Sequence, residues 1–350
     1  MPGKIVDDKV LVEDEKEGNT LYNKGYFGVP LSGGGVELTL TEALYLLEAG
    51  RLDVFDDNGK AVYKADIMEK LLDGDKGMAI KYPLYRDMRM RGYVLKEATS
   101  PAHYRVFPRG GGPNKTPSEC WLVAKAETDK FSIVDMEKIS LRVEQLKKSL
   151  LFGVVDEEGD LTYYKTSTIV LKGEGYQIPK KSVYEAFVAG NRAFVKGDLD
   201  ELHNKGFYGK DMGEELQISL LEALYLKEEG VLNVYNGFDG KEMDIDTLEE
   251  HAENIQKDFD LRYSIYKDLR SKSLIPKTGF KYGTVFRCYI GSPEDFHAQY
   301  MIQPVKKNFE CSWYDISRVV RVAHSVRKTF IFARDKEDDK TYIKIERETP

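Results

Sequence analysis

The amino-acid sequence predicts a mixed protein, α/β and α+β in class, made by tandem duplication of one two-domain unit. Three observations carry that expectation. First, short blocks recur in order: Leu21-Tyr-Asn-Lys-Gly25-Tyr-Phe-Gly28 returns as Leu202-His-Asn-Lys-Gly206-Phe-Tyr-Gly209, and Glu42-Ala-Leu-Tyr-Leu46 as Glu222-Ala-Leu-Tyr-Leu226. Tyr85-Arg-Asp-Met-Arg89 returns as Tyr266-Lys-Asp-Leu-Arg270, and Lys148-Ser-Leu-Leu-Phe-Gly153 as Lys328-Thr-Phe-Ile-Phe-Ala333. Offsets of 180 and 181 residues are far too long for a solenoid repeat, so each copy is expected to fold as a module. Second, each copy opens with a small helical or mixed part and closes with an α/β part. Third, 350 residues suffice for several separate cores.

In chain order, Leu40 to Ala49 carries leucine and alanine at helical spacing and stops at Gly50, and its twin Leu220 to Glu229 stops at Gly230. Tyr82 to Arg91 predicts a helix ending at Gly92 and leading into a strand at Tyr93. A loop, two strands, a helix and a closing hairpin follow. That hairpin spans Leu150 to Tyr164 around an acidic turn with glycine; its counterpart spans Phe330 to Ile345 around Asp335 to Asp339. In the second copy, Val285 to Ile290 alternates and Thr329 to Ala333 is apolar, both strand signals. Between them Val319, Val322 and Val326 predict a helix with Asp315 as N-cap and with Arg321, Ser325 and Lys328 on its other face. The expected domains are 1–80 and 81–170 in the first copy, a linker over 171–182, then 183–260 and 261–350.

Hydrophobic content of 41% and charge of 32% are those of a soluble globular chain. No apolar run reaches membrane-spanning length, and no signal peptide is recognisable. Cys120, Cys288 and Cys311 have neither metal nor disulfide spacing, so a reducing cytoplasm is expected, with no metal and no cofactor. The net charge of −7 argues against a surface coated in nucleic acid but leaves room for a local basic site. Arg318, Arg321, Arg327 and Lys328 against Asp315 form one such cluster, although on charge alone it reads sooner as a solvated helix face.

Comparing the copies separates scaffold from chemistry. Tyr104-Arg-Val-Phe107 stands for Phe286-Arg-Cys-Tyr289, so phenylalanine holds the place of Tyr289. Ser118-Glu-Cys-Trp-Leu-Val123 stands for His297-Ala-Gln-Tyr-Met-Ile302, so serine holds the place of His297, while Lys148 matches Lys328. A phenyl ring has no proton to trade and a serine does not titrate near neutrality. The first copy is thereby read as degenerate and the second as catalytic.

The stretches Thr278-Gly-Phe-Lys-Tyr-Gly-Thr-Val-Phe-Arg-Cys-Tyr289, His297-Ala-Gln-Tyr300 and Arg321-Val-Ala-His-Ser-Val-Arg-Lys328 resemble the catalytic subunit of archaeal tRNA-splicing endonucleases. The two-unit layout resembles the homodimeric, two-repeat form of that family. The resemblance implies a metal-independent ribonuclease site at Tyr289, His297 and Lys328. It implies attack of a ribose 2′-hydroxyl on the adjacent phosphorus, leaving 2′,3′-cyclic phosphate and 5′-hydroxyl ends. His297 would protonate the leaving oxygen, Lys328 would stabilise the transition state, and Tyr289 would be the base, aided by cations such as Lys328 or Arg321. His324 is read as supporting structure.

The substrate implied is a precursor tRNA carrying a bulge–helix–bulge, recognised by shape. Arg321, by its place in the helix motif, and Arg347, by its distance from the C-terminus, match arginines that clasp a bulged base. The acidic tip Asp156, Glu157, Glu158 and Asp160 resembles the loop that docks into the opposing subunit of a homodimer, which two cuts per substrate would require. The alternatives are a non-catalytic RNA-binding subunit, which the first copy alone would fit, and a nucleotide-binding protein. The latter fails on Gly110-Gly-Gly-Pro-Asn-Lys-Thr116, where Asn114 stands in place of the glycine before the lysine, so a loop between strands is expected.

Overall fold

The computed structural model describes residues 1–174, 183–197, 199–336 and 339–350. Each unit opens with a sheet of its own, so of the two descriptions left open, helical or mixed, the mixed one holds. In the first unit the strand order is Val29–Pro30, Val36–Thr39, Lys9–Val12, Pro2–Val6, Asp53–Phe55, Ala61–Val62. In the second it is Lys210–Asp211, Glu215–Ser219, Arg192–Lys196, Tyr184–Ala189, Leu232–Asn236, the same winding without the last strand. Helices Leu40–Glu48 and Leu220–Glu228 pack on these sheets, burying Leu40, Leu44 and Leu46 in one copy and Leu220, Leu224 and Leu226 in the other. Burial of each such side chain stabilises by roughly 2 kcal/mol.

The second halves of the two units form one continuous sheet. Its order is Ile275–Thr278, Phe286–Tyr289, Tyr300–Val305, Thr329–Asp335, Lys340–Glu348, then Leu161–Thr168, Ser149–Val155, Cys120–Ala126, Tyr104–Phe107, Val94–Glu97. The order reads the same from either end, so the halves are related by an approximate two-fold. The seam is the antiparallel pair Leu161–Thr168 with Lys340–Glu348, backed by a second pair between Lys130–Ser132 and Glu310–Ser312. One shared core covers it: Phe131, Phe152 and Tyr164 of the first unit pack around Trp313 of the second.

Several local expectations need correction. The helix expected at Tyr82 begins at Met78 and runs through Pro83 to Met90. The helix expected behind Asp315 spans Trp313–Ser325, and its N-cap is Ser312. Asp315 is the third residue of a capping box, its carboxylate accepting from the Ser312 N–H at 3.2 Å while Ser312 Oγ accepts from the Asp315 N–H at 3.2 Å. The buried stripe is Trp313, Ile316, Val320 and Ala323, whereas Val322 is exposed and Val319 and Val326 only flank the core. Lys328 is not on the helix at all, because the chain leaves it at Ser325. Of the expected linker, 175–182 lie outside the described residues. Leu171 is buried, Gly173 N–H donates to Lys272 O at 2.8 Å, and Glu174 N–H donates to Ile290 O at 2.8 Å.

Candidate active site

The second unit's Tyr289 ends a strand, and its side chain is buried beside Ile275, its cross-strand neighbour, and Ala298. Residues 290–299 then form a loop turned at Ser292, whose carbonyl accepts from Phe296 N–H at 3.0 Å and from Asp295 N–H at 3.2 Å. The loop returns to the sheet with His297 exposed and Ala298 buried.

Lys328 arrives from another direction. The helix Trp313–Ser325 closes with Arg327 in the left-handed region (φ 54°), and Lys328 N–H donates back to Ala323 O at 2.9 Å. That reversal aims the side chain along the sheet, where Nζ donates to the carbonyl of Ala298 at 2.9 Å. A phenol and an ammonium thus meet at one residue, Ala298, and the exposed His297 immediately precedes it in the chain.

Two neighbours escaped the sequence reading. Arg287 lies two residues before Tyr289, hence on the same strand face, with its guanidinium carbon 5.7 Å from the centre of the Tyr289 ring. The ring of Tyr282 lies 5.7 Å from Lys328 Nζ. Arg287 is thus a further cation beside Tyr289, with Lys328 bonded to the Ala298 on which the phenol packs, whereas Arg321 lies near Tyr164. The alternation of Phe286 to Tyr289 was the signal that would have found it.

Arg321, from the helix, and Arg347, from the last strand, are both exposed and both act on the phenol of Tyr164. Arg347 stands across the seam from Tyr164. Burial pushes the Tyr164 phenol above its ordinary value, while its bond to Ser317 and the guanidiniums of Arg321 and Arg347 act the other way. The corresponding places in the first unit are Leu141 and Thr168, which offer no such pair of cations.

The sheet register corrects the comparison of copies by one residue. Cys120 faces Ser149 as Tyr300 faces Thr329. Ser118 therefore corresponds to Ala298, and Pro117 holds the place of His297. Lys148 Nζ donates to the Ser118 carbonyl and, at 2.9 Å, to its hydroxyl, as Lys328 does to the Ala298 carbonyl. The first unit still has a phenylalanine, Phe107, opposite Val94 where the second has Tyr289 opposite Ile275. The stretch Gly110 to Thr116 is a loop between two strands, as expected.

The acidic tip joins the strands Ser149–Val155 and Leu161–Thr168. Asp156 Oδ1 accepts from the N–H groups of Glu158 at 3.0 Å and Asp160 at 2.8 Å, shaping the turn. Among the described residues no ion pair involves Asp156, Glu157, Glu158 or Asp160. No helix among them is long and apolar enough to cross a membrane, and no three of their His, Cys, Asp or Glu side chains are grouped to hold a metal ion.

Two family models match the chain, each twice. The tRNA intron endonuclease N-terminal domain matches residues 1–68 and 184–249, and the catalytic C-terminal domain matches residues 78–163 and 259–342. The tRNA-splicing endonuclease of Methanococcoides burtonii is 36% identical over 99% of each chain. Those of Methanosarcina barkeri and Halobacterium salinarum are 34% and 31% identical over 99% and 100% of each chain.

Proposed function

The chain belongs to the tRNA intron endonuclease family, and from that premise we propose how this tRNA-splicing endonuclease cuts. The substrate is a precursor tRNA with a bulge–helix–bulge at the exon–intron junctions. Tyr289, acting as phenolate, takes the proton from a ribose 2′-hydroxyl, whose oxygen attacks the adjacent phosphorus. The bond from phosphorus to the 5′-oxygen breaks, and His297, as imidazolium, gives its proton to that oxygen. Lys328 faces the charge that builds on the phosphorane. The products are a 2′,3′-cyclic phosphate and a 5′-hydroxyl.

What supports this reading is that Tyr289 packs on Ala298, Lys328 bonds its carbonyl and His297 precedes it, whereas in the first unit Phe107 and Pro117 hold the places of Tyr289 and His297. RNA supplies its own nucleophile, so a base, an acid and a cation complete the requirement. Arg321 and Arg347 clasp an unpaired base between guanidinium planes. Since each chain carries one complete site, two cuts require two chains, and the acidic tip Asp156 to Asp160 docks into the partner of a homodimer.

Cleavage of a bulge–helix–bulge RNA in EDTA tests the reaction. The parental protein is expected to cut there, and His297→Ala to cut about 10²–10⁴-fold more slowly while binding the RNA as before. Parental-rate cleavage by His297→Ala would overturn the assignment. A parental protein that binds but never cuts would make the chain a non-catalytic subunit.

A further inference from the structure

The geometry points to Gln299 as a positioning residue for cleavage, acting through the backbone of Ile290. The inference rests on the roles given above to Tyr289, His297 and Lys328.

Gln299 is half-buried, two residues after His297 and just ahead of the strand Tyr300–Val305. Three hydrogen bonds tie it to the segments that carry the other two groups. Its N–H donates to Cys288 O at 3.1 Å, and its carbonyl accepts from Thr329 N–H at 3.0 Å. Its side-chain Oε1 accepts from Ile290 N–H at 3.0 Å, and since a backbone N–H only donates, that bond orients the amide. Cys288 and Ile290 flank Tyr289, and Thr329 follows Lys328.

The first unit serves as an internal control. Glu119 occupies the place of Gln299 and keeps both backbone bonds, donating to Val106 O at 2.9 Å and accepting from Ser149 N–H at 2.8 Å. The side-chain bond cannot form there, because Pro108 stands where the second unit has Ile290, and proline has no N–H. The Pro108 carbonyl accepts instead from Gly111 within its own loop at 2.8 Å, while that of Ile290 accepts from Glu174. The backbone bonds therefore belong to the scaffold common to both units. The bond from Ile290 N–H to the Gln299 side chain belongs to the second unit alone, the unit that carries Tyr289, His297 and Lys328.

The physical role follows from where Ile290 lies. It is the first residue past the strand that ends at Tyr289, so no ladder bond continues there. Removing the acceptor leaves its N–H without a partner and frees the peptide next to Tyr289 to turn toward water. A reacting group displaced by about 1 Å loses on the order of 10²-fold in rate.

The test compares Gln299→Met, which removes the acceptor at similar volume, with Gln299→Glu, whose carboxylate still accepts from Ile290 N–H. Single-turnover cleavage and affinity for a bulge–helix–bulge RNA are measured beside His297→Ala. The expected result is a fall of about 10–100-fold in rate for Gln299→Met with affinity unchanged, and a rate near parental for Gln299→Glu. A parental rate in Gln299→Met, or a Gln299→Glu as slow as Gln299→Met, overturns the inference. If His297→Ala is slow while Gln299→Met is parental, only the role of Gln299 falls. If His297→Ala cuts at the parental rate, the assignment beneath falls and this inference with it. Should Gln299→Met fail to fold by its melting curve, Ile290→Pro removes the donor instead and carries the same expectation.

Discussion

His103, at the start of the strand Tyr104–Phe107, carries a pH dependence that a single substitution exposes. Its Nδ1 accepts from the Ala124 N–H at 2.8 Å, a bond that a doubly protonated ring cannot make. Burial, reinforced by the nearby ammonium groups of Lys81 and Lys125, lowers its pKa from 6.5 to about 4, with Asp75 and Asp129 offsetting only part. As pH falls, the unfolded chain takes up this proton first. The stability tied to His103 is therefore complete above pH 6.5 and is lost as pH drops toward 4. The melting temperature should decline between pH 7 and pH 5, and His103→Gln, whose amide oxygen can replace Nδ1, should decline less over the same interval. Equal declines would rule out His103 as the source. Single residues were also where the sequence misled: Asp315 reads as an N-cap until Ser312 is seen three residues earlier closing the box. The place of Pro117 is hidden in the sequence because the loop 108–119 is two residues longer than 290–299, which changes the offset between strands.

The helices Leu40–Glu48 and Leu220–Glu228 each start with a capping box whose glutamate does a second job. Glu42 accepts from Thr39 N–H at 3.1 Å and from Lys96 Nζ at 2.7 Å. Glu222 accepts from Ser219 N–H at 2.9 Å, and Lys277 Nζ lies 3.5 Å from its other oxygen. Burial alone would raise the Glu222 pKa, but Lys277 and the backbone donors Ser219 and Gly209 hold it below its usual range. Each lysine comes from the long sheet, so one carboxylate both starts a helix and latches the two halves of a unit. The lysines also reach the carbonyls of Gly28, at 3.0 Å, and Gly209, at 3.3 Å. A double-mutant cycle on Glu42→Gln and Lys96→Met should give a coupling energy of about 1–3 kcal/mol, because either single change strands the other group in a dry site. Additive losses would mean that the contact holds nothing together. The recurrence of Glu42 as Glu222 marked the helix starts in the sequence. The latch was invisible there, since Lys96 and Lys277 are distant in the chain.

At the scale of the molecule, the seam between units is specified by charge as well as by its aromatic core. Glu137 of the first unit accepts from Arg334 and Lys336 of the second and, at 3.0 Å, from Thr341. The acidic tip of the first unit's own hairpin, between Ser149–Val155 and Leu161–Thr168, has no such partner within the described residues, and four carboxylates on one turn repel one another. A basic surface on a second chain would relieve them. Changing Asp156, Glu157, Glu158 and Asp160 together to lysine should therefore weaken the proposed homodimer by about tenfold or more, since like charges across an interface cost several kcal/mol. Light scattering across a dilution series at low and high salt gives the readout. A reversed mutant that stays dimeric throughout and cleaves normally would make the tip an ordinary turn, whereas a monomeric one should lose cleavage with Tyr289, His297 and Lys328 untouched.

By itself the sequence determined the duplication, most helix and strand locations and the contrast between Tyr289 and Phe107. These rest on local spacing and on recurrence within one chain, both of which survive without any knowledge of contacts. Only the tertiary structure decided that ten strands run through both units as one sheet, that Arg287 and not Arg321 neighbours Tyr289, and that Lys328 leaves its helix to reach Ala298. Register was the deciding quantity. A shift of one residue along a strand exchanges its faces and gives the place of His297 to Pro117 rather than Ser118, and it is set by pairing across the sheet. The bond from Ile290 to Gln299 belongs to the same class, because its donor and acceptor meet only once both flanking strands are in place.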